Sequence, residues 1–333
     1  MTGLAIVGVG RMGEKHLRAL PRARRVHLRA ICDPAPAAAA VGELAGVPVD
    51  TDLDRTLGRD EVDAVLIAAP TPQHEALVTA ALAAGKHVLC ERPLTFDPQV
   101  DLRLAAEADR RGLGLHVGFW RRHAWPYREA RRLLAAGAIG APRMLRLAQW
   151  DAEPLSPAFC DPAVSGGIEV DAGVPQCDLA AWLCGSPVVE AFARAAPTRS
   201  DIAATGDVES MMGLLVLAAG QPVSIDLART AAQADVMRSE IIGEHGSLIC
   251  EVHGAGALLV HLDDGFREVL PMTDDVKLDA LARQIDALAA AIAGGPVPDA
   301  ARPSDAAAAL RTALALRESR RSGAPVRLSR ATS

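Results

Sequence analysis

Leu4-Ala5-Ile6-Val7-Gly8-Val9-Gly10-Arg11-Met12-Gly13 is the stretch that decides the fold. Its apolar run predicts a strand buried on both faces, which belongs in a parallel sheet. The glycines that follow have distinct tasks: a tight turn at Gly8, a bare backbone at Gly10 that lets a pyrophosphate approach, and close helix packing at Gly13. The next helix, expected from about residue 12 to 20, points unpaired N–H groups and its positive dipole end at that turn. A second strand over 26–32 delivers Asp33 twenty residues beyond Gly13. A carboxylate there accepts from the ribose hydroxyls of an adenosine and repels a 2′-phosphate, so NAD is expected in preference to NADP.

Short apolar strands continue to alternate with helical segments as far as residue 118. The strands fall at 47–49, 62–68, 87–90 and 115–118, the helices near 36–45, 53–58, 72–84 and 97–111. This predicts a doubly wound parallel sheet whose right-handed crossovers bring the loops at Gly8, Asp33, Ala69 and Glu91 to one edge. After residue 120 the rhythm changes. A helix over 125–136 leads to a strand at 144–149 and an irregular proline-rich stretch at 151–167. Strands then follow without long helices between them, at 188–195, 210–218, 222–228, 240–243, 247–252, 257–262 and 267–270. Several alternate apolar with polar residues, and Asp263-Asp264-Gly265 has hairpin chemistry. Two alanine-rich helices, 276–293 and 304–322, close the chain. The expected fold is α/β: a Rossmann domain over 1–121, then a C-terminal α/β domain over 122–333 with a large, mostly antiparallel open sheet. The last helix is a candidate to pack back on the first domain.

The 333 residues carry a formal charge of -6 with scattered arginines and few aromatics, which argues against a nucleic-acid partner. Arg22-Ala23-Arg24-Arg25 fits the solvated end of the first helix, where cations suit the dipole. No apolar stretch reaches membrane-spanning length, and the first strand begins too early for a signal core. A cytoplasmic protein without a membrane partner is therefore expected. The six cysteines show no CxxC or zinc spacing and the nine histidines are dispersed, so free buried thiols and no metal site are expected.

Three further segments carry reactive side chains. Ala68-Ala69-Pro70-Thr71-Pro72-Gln73-His74 follows the fourth strand, with Thr71 suited to an N-cap and Pro72 to the first helical position, while His74 is left without a role in capping. Gly85-Lys86-His87-Val88-Leu89-Cys90-Glu91-Arg92-Pro93-Leu94 contains the fifth strand. The third runs Ser165-Gly166-Gly167-Ile168-Glu169-Val170-Asp171-Ala172-Gly173-Val174-Pro175-Gln176-Cys177-Asp178.

Together with the glycine turn, these segments resemble the glucose-fructose oxidoreductase, inositol dehydrogenase and rhizopine catabolism (Gfo/Idh/MocA-like) family. The resemblance covers essentially the whole chain. Gly118-Phe119-Trp120-Arg121-Arg122, Ala138-Ile139-Gly140-Ala141-Pro142 and Ile242-Gly243-Glu244-His245-Gly246-Ser247-Leu248 match its landmarks. The Arg121-Arg122 pair and the Gly166–Asp171 run look most like inositol 2-dehydrogenases. The resemblance implies an NAD(P)-binding Rossmann domain and hydride transfer to or from a sugar, cyclitol or related polyol. It also implies a homodimer or homotetramer formed through the C-terminal sheet. Cofactor contacts are implied at Gly8, Gly10, Arg11, Met12, Gly13, Asp33, Pro70, Thr71, His74, Glu91, Arg92, Pro93, Trp120 and Arg121. Substrate contacts are implied at Arg92, Trp120, Gln149, Asp151, Asp171 and Pro175. Core packing for Trp120, and solvated polar roles for Arg121, Gln149 and Asp151, are the plainer alternatives.

Two positions depart from the family pattern. The strand-five motif normally reads Glu-Lys-Pro, its lysine supporting proton transfer, and here the middle residue is Arg92. A guanidinium orients or polarises an oxygen but is a poor proton acceptor. The histidine expected four residues after Asp171 is Pro175, which offers no proton chemistry and suits the first turn of a helix. Asp171 is the remaining base, with Arg92 holding the substrate oxygen. An ordinary aspartate has a pKa near ~3.9, so burial would have to raise it for good base catalysis. Capping a helix that starts near Val174 is its alternative role. The function expected is an NAD-dependent dehydrogenase of CH–OH groups. An NAD-binding regulator without turnover, and a redox-neutral epimerase or eliminase that oxidises transiently, are the alternatives.

Overall fold

A computed structural model describes residues 1–153, 155–196, 199–229, 234–262, 265–269 and 273–329. The first half reads β1 (Thr2–Val7), α1 (Arg11–Ala19), β2 (Val26–Cys32), α2 (Ala38–Ala45), β3 (Val49–Asp50), α3 (Leu53–Leu57), β4 (Ala64–Ile67), α4 (His74–Ala83), β5 (His87–Cys90), α5 (Pro98–Arg111) and β6 (Leu115–Val117). Then come α6 (Trp125–Ala135), β7 (Pro142–Trp150), α7 (Pro157–Cys160), α8 (Pro162–Ser165), α9 (Gly167–Asp171), α10 (Gly173–Cys184), β8 (Val188–Ala195), α11 (Ser200–Ala203), β9 (Ser210–Leu217) and β10 (Pro222–Ala228). The chain ends with β11 (Val236–Gly243), β12 (Gly246–Glu251), β13 (Ala257–Leu262), β14 (Gly265–Val269), α12 (Val276–Ile292), α13 (Pro303–Ser322) and β15 (Val326–Arg327). The chain divides into two compact units, Met1–His123 with Leu278–Ala307, and Ala124–Lys277 with Ala308–Ser333.

In the first unit six parallel strands lie in the order β3-β2-β1-β4-β5-β6, so the strand order reverses between β1 and β4. Leu4, Ala5 and Ile6 and the whole of Ala64–Ile67 are fully buried, as a strand covered on both faces requires. Ile285, Leu288 and Ala289 of α12 join the core of Leu4, Ile6 and Leu66. The first helix stops at Ala19, where a 3₁₀ turn through Arg22 begins; Arg22 pairs with Asp279 at 2.8 Å, so this cation is not simply solvated.

The second unit holds nine strands in the order β14-β13-β12-β11-β7-β10-β9-β8-β15. Only β7 and β10 run parallel; all the other pairs are antiparallel. One face is buried by alternation, with Leu145, Leu147, Val223, Ile225, Leu227, Ile241 and Leu258 at 2% exposure or less. α10 packs on β7 and β10, α6 on β12 and β13, and Ser319 of α13 accepts the N–H of Ala193 in β8. The opposite face leaves Met144, Trp150, Met212, Leu214 and Ile242 exposed.

The short helices α7 and α8, with the start of α9, occupy about half of the stretch read as irregular, and β11 begins four residues earlier than its apolar pattern suggested. Ser239 breaks that pattern because it is a buried polar residue, bonded to the hydroxyl of Tyr127 at 2.8 Å. β13 and β14 pair as a hairpin would, but Asp263 and Asp264 lie outside the described residues. No helix among the described residues is long and apolar enough to cross a membrane.

Candidate active site

Backbone geometry separates the tasks of the three glycines. Gly8 has φ +89°, and a side chain there would meet the backbone of Ala68 and Ala69 at 2.8 to 2.9 Å. A Cβ at Gly13 would overlap the carbonyl oxygen of Gly8, which fixes how closely α1 approaches β1. Gly10, the N-cap of α1, has ordinary extended backbone, and a Cβ there would meet nothing within 4 Å. The space over Gly10 is thus open, at the helix end whose first-turn N–H groups have no intrahelical partner. Arg11 is exposed and Met12 half-buried at the start of this helix.

Asp33 closes β2. Its two carboxylate oxygens accept the main-chain N–H groups of Val9 and Ala35, both at 2.8 Å. It therefore ties the glycine turn to the end of the second strand.

The next loop differs from expectation at Thr71. Pro70 is the cap, Thr71–Gln73 form a 3₁₀ turn without a side-chain cap bond, and α4 begins at His74. Pro72 therefore occupies the second position of that turn, where a missing N–H is again harmless. His74 is buried, with Nε2 2.8 Å from the carbonyl oxygen of Ala69 and Nδ1 3.0 and 3.2 Å from those of Pro93 and Leu94. The imidazole braces two loops, and both of its nitrogens face main chain.

β5 ends in Glu91, Arg92 and Pro93, with a cis peptide bond between the last two. Glu91 is buried, Arg92 half-buried. Gly118 is the glycine that accommodates this turn, since a Cβ there would lie 2.9 to 3.0 Å from the side chain and Cα of Glu91. Trp120 and Arg121 fall in a 3₁₀ turn and are each 6% exposed, with the guanidinium of Arg121 5.8 Å from the Trp120 ring centre. The solvated role weighed for Arg121 is overturned.

The second unit carries Gln149, Asp151, Asp171 and Pro175. Gln149 is buried near the end of β7, donating to Asp151 at 3.2 Å and accepting from Gln176 of α10 at 3.2 Å, so it too is not a solvated residue. Pro175 is the third residue of α10, in the first turn as expected. The capping role for Asp171 does not hold: α10 starts behind Ala172 without a side-chain cap, and Asp171 ends the separate helix α9.

Asp171 Oδ2 instead lies 3.3 Å from Nη1 of Arg229, whose Nη2 is 2.6 Å from Oδ2 of Asp207. Arg229 is 1% exposed and Asp207 3%. Burial opposes the charge of this arginine, but Asp171 and Asp207 outweigh it and raise its pKa further. Asp207 also accepts the N–H of Ile168 at 2.9 Å, while Glu169 pairs with Arg320 at 2.6 Å and Arg317 at 3.6 Å. Helix α9, which carries Asp171, is thus moored by largely buried ion pairs to Arg229, the residue after β10, and to α13. Arg229 and Asp207 were missed in the sequence because they pair over dozens of residues and carry no local motif.

Comparison with known proteins accounts for both units. Residues 2–119 match the model "Oxidoreductase family, NAD-binding Rossmann fold", and residues 127–249 match the "GFO/IDH/MocA C-terminal domain". The rhizopine catabolism protein MocA of Rhizobium meliloti is 31% identical, with 95% of this chain and 94% of that protein aligned. The chain belongs to the Gfo/Idh/MocA oxidoreductase family. Inositol 2-dehydrogenase 2 of Saccharopolyspora erythraea is 34% identical over 74% of this chain and 72% of its own. The crystal structure of myo-inositol 2-dehydrogenase from Lactobacillus plantarum superposes with a TM-score of 0.85 at 27% identity, covering 98% of this chain and 99% of that one. This Gfo/Idh/MocA member is accordingly an oxidoreductase with an NAD-binding Rossmann fold, and the open cradle over Gly10 fits the pyrophosphate of that cofactor.

Proposed function

We propose that this chain is an NAD-dependent dehydrogenase of a cyclitol, sugar or sugar-derived polyol, akin to the inositol 2-dehydrogenases. The observation that carries the reading is Asp171: a carboxylate in the family's motif, held by a buried arginine although the neighbouring histidine position is Pro175. NAD, bound at Gly8, Gly10, Arg11, Met12, Gly13 and Asp33, supplies the hydride acceptor. Pro70, Thr71, Glu91, Pro93, Trp120 and Arg121 complete its surroundings, with His74 bracing the loops behind them. Arg92 holds the reacting oxygen with a fixed positive charge, and Asp171 takes the hydroxyl proton. Gln149, Asp151, Trp120 and Pro175 line the substrate. Asp33 excludes a 2′-phosphate, so NAD is preferred to NADP.

Asp171→Asn removes the acceptor while keeping the shape. NADH formation is expected to fall by about 100-fold or more, in line with loss of a general base, with NADH affinity within about threefold of the parent. Unchanged turnover would take Asp171 out of the chemistry. Tight NADH binding without turnover across inositols, sugars and sugar acids would favour a regulator. Product formation without net NADH, followed by mass spectrometry, would favour a redox-neutral reaction. We also propose that the uncovered face of the nine-stranded sheet joins copies of the chain as a homodimer or homotetramer.

A further inference from the structure

His16 has a place in the structure that the glycine turn does not require. It lies on α1, three residues past Gly13, is 1% exposed, and donates from Nε2 to Oε1 of Glu91 at 2.7 Å. Its Nδ1 makes no hydrogen bond to a described residue. Glu91, 7% exposed, accepts the main-chain N–H of Arg92 on its other oxygen at 3.2 Å, and its carboxyl group fills the space left by Gly118. Burial pushes the Glu91 pKa up, but the hydrogen bond and charge of His16, with Arg92, outweigh burial and hold the group below the usual carboxylate value. One buried carboxylate is therefore tied on one side to the helix behind the glycine turn and on the other to the first N–H of the Arg92 turn.

A dinucleotide fold of this topology has two halves that meet where the strand order reverses. With NAD placed as proposed above, Asp33 marks the adenosine half, beside β1 to β3, and Glu91 with Arg92 marks the nicotinamide half, beside β4 to β6. Helix α1 belongs to the first half and β5 to the second. We propose that His16 is a positioning residue that couples the two: its bond to Glu91 sets the Arg92 turn against the pyrophosphate helix and so holds the nicotinamide half of NAD. Without it, Glu91 would be a buried anion lacking its strongest partner, and the turn it anchors would move.

The test compares NADH with ADP, which has the adenosine and both phosphates but no nicotinamide riboside, by calorimetry on full-length protein. His16→Leu is expected to weaken NADH about tenfold or more while ADP stays within about threefold. His16→Gln, whose amide N–H can donate to Glu91, should recover most of the NADH affinity. Equal weakening of both ligands, or a His16→Leu protein that binds NADH like the parent, overturns the proposal. If His16→Leu does not fold, the double variant H16L/E91Q, which leaves no buried anion unpaired, is compared with E91Q alone, so that any contact Glu91 itself makes to the ligand cancels and the same two outcomes decide. No substrate is needed, so the result stands apart from the polyol reading.

Discussion

Alanine at Gly10 and alanine at Gly13 should have opposite consequences although the two glycines stand three residues apart. At Gly10 the backbone is φ -69°, ψ -164°, open to any residue, and a Cβ would touch nothing within 4 Å. The substitution should leave folding intact or add roughly 0.5 kcal/mol by restricting the unfolded chain. The same methyl group would stand where the pyrophosphate must approach. Loss of one or two hydrogen bonds to a charged group, about 1.5 to 3 kcal/mol each, corresponds to roughly 10-fold weaker NADH binding at the least. At Gly13 the new Cβ would overlap the oxygen of Gly8 and sit 3.0 Å from its carbon, and both are backbone atoms that cannot swing aside. Helix α1 would have to shift, which overpacking data put at about 1 to 3 kcal/mol or more. Urea unfolding gives the stabilities and calorimetry the NADH affinities. A Gly10→Ala protein that binds NADH like the parent would refute the cradle, and a Gly13→Ala protein as stable as the parent would refute the packing.

Replacing Arg229 by Met should cost about 3 kcal/mol or more, since Asp171 and Asp207 would lose a shared buried partner, and turnover should fall with Asp171 out of place; unfolding and NADH-formation assays check both. Asp101, fully buried on α5, has its pKa raised to about 6, chiefly by burial and despite the hydrogen bond from Thr95. The unfolded chain releases this proton first, so stability should fall as pH rises from about 4 to 6, by about 3 kcal/mol in all. Asp101→Asn should remove that slope in unfolding measured against pH, and gain stability at neutral pH but not below pH ~4. Aspartate at Met212 and Leu214, 66% and 46% exposed on the uncovered sheet face, should lower the mass seen by light scattering if that face joins copies, and leave it unchanged if it does not.

The first unit was legible because its signals are local. Leu4 to Gly13 and Asp33 form a strand, turn and second-strand end within a few dozen residues, as their local pattern predicts. The broad character of the second sheet was legible too, from alternation along β9, β10 and β13. What escaped notice depends on partners far along the chain. Asp171 looked like a cap because a helix starts just beyond it, but Arg229, fifty-eight residues later, claims its carboxylate. The helix α9 starts through Gly166 and Gly167, both at positive φ, in surroundings set by Asp207 and Arg317, which no window of sequence contains. No local pattern in the sequence singles out His16 among the nine histidines. Only the closeness of α1 to the end of β5 gives it a partner.

The most direct measurement is NADH formation by the purified protein with NAD⁺ and a panel of inositols, sugars and sugar-derived polyols, run beside the Asp171→Asn variant. Steady turnover of at least one polyol, nearly abolished in the variant while NADH still binds, is expected. Firm NADH binding with no oxidation of any member of the panel, or turnover indifferent to Asp171, would contradict a dehydrogenase that works through this carboxylate.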